Sequence, residues 1–481
     1  MAGIGFELKK LYSEKGISRG IRAFFYSFVV TVGPMMLCIF LITFMQYLLQ
    51  EMGEDYLKRQ VFVAVIQYTF IFSLLIGGGV AMYLSRFFAD MMYIERYDEI
   101  LHGLDFGLAT ALSIGTIEAL VFLYFSGLDM ITALIAYSLF MVLIVVWVYA
   151  IIITAIKNYK KIFHIYLSGV IIGIIVTLAM VVLGIRNADY YLIAILLTFT
   201  VIATRLIYYL RDVFKTKRTF SVKSIESLDF YGKLVLVGFF MNAGIYIQNM
   251  VYWMTDDATV VATTFRLAPF YDVPMFYAFL TVIPSMIFFV IFFETNFYDR
   301  YKGYYDQIIH GGSLKEMEAA KNIMIRTLYQ EYSGVMEIQL IFTIVFLIVG
   351  RMMLPRIGIS ADSVDIFSII TLGCYIYGAI YICVMCLLYF DDINGATVIS
   401  CSFFISDLVF TLVSLKFGDR ANGFGFFTAT VVTFFIGFAR LSYFLKNLDY
   451  YTYCNQPLRQ AKPSGIFTKI SKLIMVLEPK Q

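Results

Sequence analysis

The sequence predicts an all-α, polytopic membrane protein of about twelve transmembrane helices in two six-helix bundles, with both termini in the cytoplasm. Three observations carry this. Of the 481 residues, 60% are hydrophobic and only 15% charged, with a mean hydropathy of +0.81, where a soluble domain holds about one quarter charged residues. The few charges gather between apolar runs of 20 or more residues, each long enough to cross the roughly 30 Å hydrocarbon core as a helix. The Lys and Arg residues fall mostly on alternate connections. Because lipid gives the backbone no hydrogen-bond partner, the runs are helices, and their length excludes the short alternating segments of a porin-like barrel.

The opening, MAGIGFELKKLY, carries two glycines, one acid and two lysines. It is too polar for the heart of a secretory signal and reads as part of the mature chain. Ile4, Leu8, Leu11 and Tyr12 recur at helical spacing while Glu7, Lys9, Lys10 and Glu14 face elsewhere, so residues 1–20 are expected to hold a helix on the inner membrane surface. Spans follow near 21–49, 61–88, 103–126, 130–156, 163–185 and 189–210, giving a first bundle over 21–210. A polar linker at 211–230 precedes spans near 231–254, 268–293, 334–354, 363–389, 394–417 and 422–446, a second bundle over 231–446. Within it, Ser313 and Glu316 form a capping box ahead of an apolar stripe of Leu314, Met317, Ala320, Met324 and Leu328. This marks an amphipathic helix over 313–332 that covers either the protein's own bundle or a cytoplasmic partner. The basic tail, 447–481, holds a second candidate surface helix with Ile466, Ile470, Leu473 and Ile474 on one face and Lys469 and Lys472 beside them.

With the N-terminus inside, 29 of the 37 basic residues lie on inner segments and 8 outside, which orients the chain. The formal charge of +3 is thereby explained by topology, and no nucleic-acid partner is implied. None of the six cysteines falls in an outer loop, and Cys383-x-x-Cys386 lies within an apolar span without a nearby histidine, so packing is its expected role. No nucleophile with a base, no metal cluster and no phosphate loop is legible. The glycines at 77, 78 and 79 sit in the second span, where they serve close packing or bending and do not form a Walker-type loop. No enzyme activity and no cofactor are expected.

Ionisable and amide groups inside spans are the candidates for a transport pathway, since each is costly in hydrocarbon. Asp407 lies about 20 Å into the eleventh span, counted from Asn394 at the usual helical rise, with Ser402 and Ser406 close in sequence. Its carboxyl suits a proton, a cation or sugar hydroxyls, or a structural hydrogen bond. Glu118, in the outer half of the third span, has the same readings. Asn242, Gln248 and Asn249 lie among Tyr246, Tyr252 and Trp253, a mixture of amides and rings that suits sugars and equally suits membrane anchoring. The eighth span carries Pro269, Pro274 and Pro284, so it is expected to be kinked or broken where neighbouring protein or a cavity satisfies the backbone. Asp272 stands near its outer end and Glu294 near its inner end. Pro34, after Gly33, is expected to kink the first span.

Together, MAGIGFELKKL, Gly33–Pro34, SRFFADMMYIERYDEIL with Arg86 and Asp90, the block from YDVPMFYAFL to DQIIHGGSL, and LLYFDDINGA with Asp391 resemble the PelG family, the inner-membrane component of Pel exopolysaccharide secretion. The Lys-rich tail beyond about Tyr451 departs from that pattern. The resemblance implies a fold related to the multidrug/oligosaccharidyl-lipid/polysaccharide flippases. It also implies export of an N-acetylgalactosamine-rich polymer across the inner membrane, made by a cytoplasmic glycosyltransferase, with further Pel membrane proteins including a cyclic-di-GMP receptor. The alternatives are an ion-coupled flippase of lipid-linked oligosaccharide, a multidrug-type antiporter, or a scaffold that anchors the synthase without transporting.

Overall fold

The computed structural model describes residues 28–29, 32–156, 159–214, 226–454 and 465–477. The surface helix expected over 1–20 and most of the 211–230 linker lie outside the described residues. Twelve described helices are long and apolar enough to cross a membrane.

One compact unit comprises the described parts of Gly33–Tyr246, Trp253–Ala268 and the final helix. It holds α1 (Gly33–Glu51), α2 (Tyr56–Tyr93), α3 (Tyr97–Tyr124), α4 (Met130–Ile156), α5 (Tyr159–Val182), α6 (Ala188–Val213) and most of α7 (Leu228–Trp253). Short turns separate the helices, and side chains start the next one: Asp55 accepts from the Leu57 amide at 3.0 Å and Asn187 from the Asp189 amide at 3.0 Å. Such acceptors satisfy first-turn amides that have no partner inside the helix. After α7, Thr259–Val260 (β1) pairs antiparallel with Arg266–Leu267 (β2). Gly33 opens α1, so Pro34 occupies a first turn, where its missing N–H costs nothing. Residues 28–29 are also helical and residues 30–31 lie outside the described residues, so the kink expected at Pro34 is neither shown nor excluded.

The glycine run in α2 is explained by close packing. A Cβ at Gly77 would lie 2.9 Å from Cβ of Trp147, Gly78 faces Asn242, and a Cβ at Gly79 would lie 3.1 Å from the Val235 carbonyl. From the opposite side, a Cβ at Gly238 would lie 2.5 Å from the Gly78 carbonyl. In lipid, where apolar surface gains nothing from leaving water, such close backbone approach is a main source of helix association.

The other unit comprises Ile247–Tyr252 and the described residues of Pro269–Gln456. Its elements are α8 (Pro269–Leu280), α9 (Ile283–Phe292), a π-helical turn at Phe293–Phe297, α10 (Tyr298–Ile309), α11 (Leu314–Met353), α12 (Ala361–Tyr389), α13 (Ile393–Leu415) and α14 (Phe424–Lys446). The eighth span is broken at Thr281–Val282. Pro269 and Pro284 each stand at a helix start, and only Pro274, buried, lies inside a helix. The break frees the Thr281 carbonyl, and Gln339 of α11 donates to it at 2.7 Å from a fully buried position. Neighbouring protein therefore satisfies a carbonyl that the break leaves without a helical donor.

The amphipathic segment read at 313–332 is the first half of the 40-residue α11. Its capping box is present, with the Ser313 amide donating to Glu316 at 2.8 Å and the Glu316 amide to the Ser313 hydroxyl at 3.3 Å. Met324 and Leu328 are fully buried, so this part of the stripe covers the protein's own unit. Leu314 is exposed. The tail holds α15 (Ile466–Leu477).

Candidate functional site

Four of the residues singled out by sequence come together in the second unit. Near the end of α7, Gln248, Asn249 and Tyr252 share one face by their three- and four-residue spacing, and all are buried. Opposite them α8 begins. Its Tyr271 hydroxyl donates to Gln248 Oε1, and its Asp272 accepts from Asn249 Nδ2 at 2.7 Å. Asp272 lies in the first turn of α8, where the helix dipole favours a carboxylate. The start of α8 is fixed by Ser363 of α12, which donates to the Phe270 carbonyl at 3.0 Å. The rings of Tyr252 and Tyr271 stack with centroids 3.7 Å apart, and the Tyr252 hydroxyl donates to Asn422 Oδ1 at 3.0 Å.

Asp407 of α13 completes the cluster. It lies near Tyr252 and Tyr271 and has no exposed surface. Thr411, one turn along, donates to its Oδ1 at 3.1 Å. The serines at 402 and 406, close in sequence, are not its partners. Gly425 lets α14 approach so closely that a Cβ there would lie 2.5 Å from Cα of Thr411, and this closes α13 around the carboxyl. Asp407 Oδ2 and Asn249 Oδ1 are buried without a hydrogen-bond partner among the described residues. A buried acceptor left without a donor is costly. Asp407 Oδ2 can therefore take a proton, and either atom a cation or a ligand hydroxyl.

The remaining candidates lie elsewhere. Asn242 donates to the Gly238 carbonyl at 2.8 Å and packs on Gly78, so its role is in the α2–α7 contact. Glu118 borders a separate cavity of about 50 Å³ in the first unit, lined also by Tyr68, Phe72, Phe122, Phe140 and Phe265. Trp253 stacks on Tyr68 at 4.4 Å. Pro274 and Pro284 shape the broken span and touch none of the cluster's hydrogen bonds. Glu294 falls in the π-helical turn, its side chain outside the described residues.

The motif residues form local frameworks. Arg86 Nε lies 3.4 Å from Asp90, whose other oxygen accepts from the Tyr231 hydroxyl at 2.5 Å. Tyr301, in the block that ends the eighth span, donates to the Tyr389 carbonyl at 3.1 Å. This joins two motifs that are 88 residues apart. Asp391 holds a left-handed turn, φ 63°, a conformation that Asp tolerates better than most residues. Next to it Asp392 accepts from Arg440 Nε at 2.8 Å and Nη2 at 2.7 Å while capping α13 through the Gly395 amide at 3.0 Å.

Sequence reading missed Tyr271, Thr411, Asn422, Gln339 and the Arg440–Asp392 pair. The i, i+4 spacing of Asp407 and Thr411 was a usable signal. The other partners depend on which helices meet.

The sequence model of the PelG family, described as an exopolysaccharide exporter (EPS-E), matches residues 1–453. No curated protein matches the chain. Among solved structures, the Vibrio cholerae MATE transporter VcmN, solved as a point mutant, is similar at 10% identity over 93% of this chain and 99% of that one, with a TM-score of 0.63. A multidrug resistance MATE family transporter of the MOP superfamily, in an outward-facing conformation, is similar at 12% identity over 88% and 96%, with a TM-score of 0.57. A MOP superfamily transporter from Pyrococcus furiosus gives 12% identity over 88% and 96%, with a TM-score of 0.54. At these identities the likeness shows the fold alone, one shared with MATE-type proteins.

Proposed function

Since this chain belongs to the PelG family of exopolysaccharide exporters, we propose that it carries a Pel-like, N-acetylgalactosamine-rich polysaccharide across the cytoplasmic membrane as a cytoplasmic glycosyltransferase elongates it, for a biofilm matrix. The family match over residues 1–453 carries this reading, and the transporter fold supports it over an enzyme. Further Pel membrane proteins, including a cyclic-di-GMP receptor, complete the machine in this reading. The cluster of Gln248, Asn249, Tyr252, Tyr271, Asp272 and Asp407 is its glycan-facing element. Its amide and carboxyl oxygens accept hydroxyl hydrogen bonds from the glycan, the orienting role of the few polar groups in such a site. Elongation supplies the driving force, so no ion gradient is required.

The unpartnered oxygen of buried Asp407 favours a second reading, in which this carboxyl binds a proton or cation and drives a flippase of lipid-linked oligosaccharide or a multidrug-type antiporter.

Removing this chain from a polymer-producing cell separates export from synthesis. Export predicts loss of extracellular polymer with retention of glycan inside the cell. Extracellular polymer at the parental level would overturn the proposal.

A further inference from the structure

The last helix, α15, is held with its polar side toward the protein. First-turn amides of a helix have no partner within it, and at α15 a carboxylate from another helix supplies one. Asp229, in the first turn of α7, accepts from the Phe467 amide at 3.2 Å, the Thr468 amide at 2.8 Å and the Thr468 hydroxyl at 2.6 Å. One turn on, the Ser471 hydroxyl donates to Glu226 Oε1 at 3.0 Å. Gly465 lies so close against Asp229 that a Cβ has no room. Thr468 and Ser471 are accordingly 2% and 0% exposed, whereas Ile466 is 72% and Phe467 38% exposed. Lys469 and Lys472 are exposed as well.

A helix docked on a protein in water buries its apolar stripe and shows its polar one. Among the described side chains of α15 the order is reversed, and the segment IFTKISKLIMVL contains two lysines and no acid. An apolar, cationic outer side matches the boundary between anionic headgroups and acyl chains. The place fits too. The clamp residue stands at the very start of a membrane-crossing helix, Leu228–Trp253, so whatever it holds lies at the end of a span, where headgroups are.

We propose that α15 is a lipid-binding surface helix, latched by Asp229 and Glu226, whose Ile466, Phe467, Lys469 and Lys472 engage anionic phospholipid at the cytoplasmic leaflet. It lies beyond the region matched by the family model, which ends at residue 453, so it is an attribute of this chain that the transport reading does not require.

The test is hydrogen exchange of residues 466–477 in the full-length protein, in phosphatidylcholine nanodiscs with and without phosphatidylglycerol. With phosphatidylglycerol the amides exchange about tenfold more slowly. The slowing is lost at high salt and in the double variant Lys469→Glu, Lys472→Glu. Equal exchange in both lipids overturns the proposal, as does slowing that appears only when the glycosyltransferase is added, which would identify a protein as the occupant. For the latch, Asp229→Ala accelerates exchange in either lipid. Gly465→Ala, which crowds the same contact from the tail and leaves α7 intact, does likewise. Unchanged exchange in Gly465→Ala contradicts the latch.

Discussion

Gln339 Nε2 donates to the Thr281 carbonyl at 2.7 Å, across 58 residues of sequence, at the point where the eighth span breaks. Both residues have no exposed surface. Replacing the amide by an apolar group of similar size leaves the carbonyl buried and unsatisfied, which costs about 1–3 kcal/mol. Gln339→Leu is expected to lower the melting temperature of the purified protein in detergent. Tyr329→Phe, on the exposed side of the same helix, leaves it unchanged.

The α2–α7 contact separates two kinds of crowding. A Cβ at Gly238 meets the backbone carbonyl of Gly78, whereas one at Gly78 meets the movable amide of Asn242. Gly238→Ala should therefore destabilise by about 1–3 kcal/mol through overpacking, and Gly78→Ala by clearly less. Equal melting temperatures for the two variants would count against this packing.

Asp392 is 6% exposed at its side chain and is paired with Arg440. Arg440→Ala strands that carboxylate, and because Arg440 is itself 28% exposed the cost is that of a lost charged hydrogen bond, about 1.5–3 kcal/mol. A sharp fall in folded yield from size-exclusion chromatography is expected. Arg440→Lys, which keeps the charge but loses the guanidinium fork, should fall between the two.

Asp407→Asn keeps the volume and the Thr411 contact while removing the acid. If the cluster faces the glycan, export falls about tenfold, equivalent to about 1.4 kcal/mol, with the folded yield intact. A protonophore leaves wild-type export unchanged in the conduit reading and abolishes it in the ion-coupled one. Measuring extracellular polymer with and without protonophore distinguishes them.

Cys454 is the exposed cysteine among the six, and Cys38, Cys374, Cys383 and Cys386 are buried. The charge distribution predicts a cytoplasmic C-terminus, so a membrane-impermeant maleimide should label Cys454 in inverted membrane vesicles and leave it unlabelled in intact spheroplasts. The opposite pattern would reverse the predicted orientation.

The span count was legible because every crossing helix must be both apolar and about 20 residues long, a constraint that Leu314–Met353 and Tyr56–Tyr93 satisfy as plainly as shorter helices do. The break near Pro284 was legible because a proline removes a donor wherever it stands. Asp407, Gln248, Asn249 and Asp272 could be named from cost alone. Their meeting could not, because the contact between the end of α7 and the start of α8 is fixed by Tyr271, Ser363 and Asn422, residues with nothing unusual about them in a linear reading. Asn242 and Glu118 share the chemistry of the cluster but face other neighbours, and sequence offers no means of telling which amide or carboxyl faces which helix.

Proteoliposomes holding this chain with the glycosyltransferase of the proposed export system, supplied externally with radiolabelled UDP-sugar and then treated with glycosidase, show whether polymer passes through it. Vesicles with the cytoplasmic face outward report the result. The conduit reading requires labelled polymer protected in the lumen, and only when both proteins are present. Polymer that forms but stays outside, fully digestible, would contradict it.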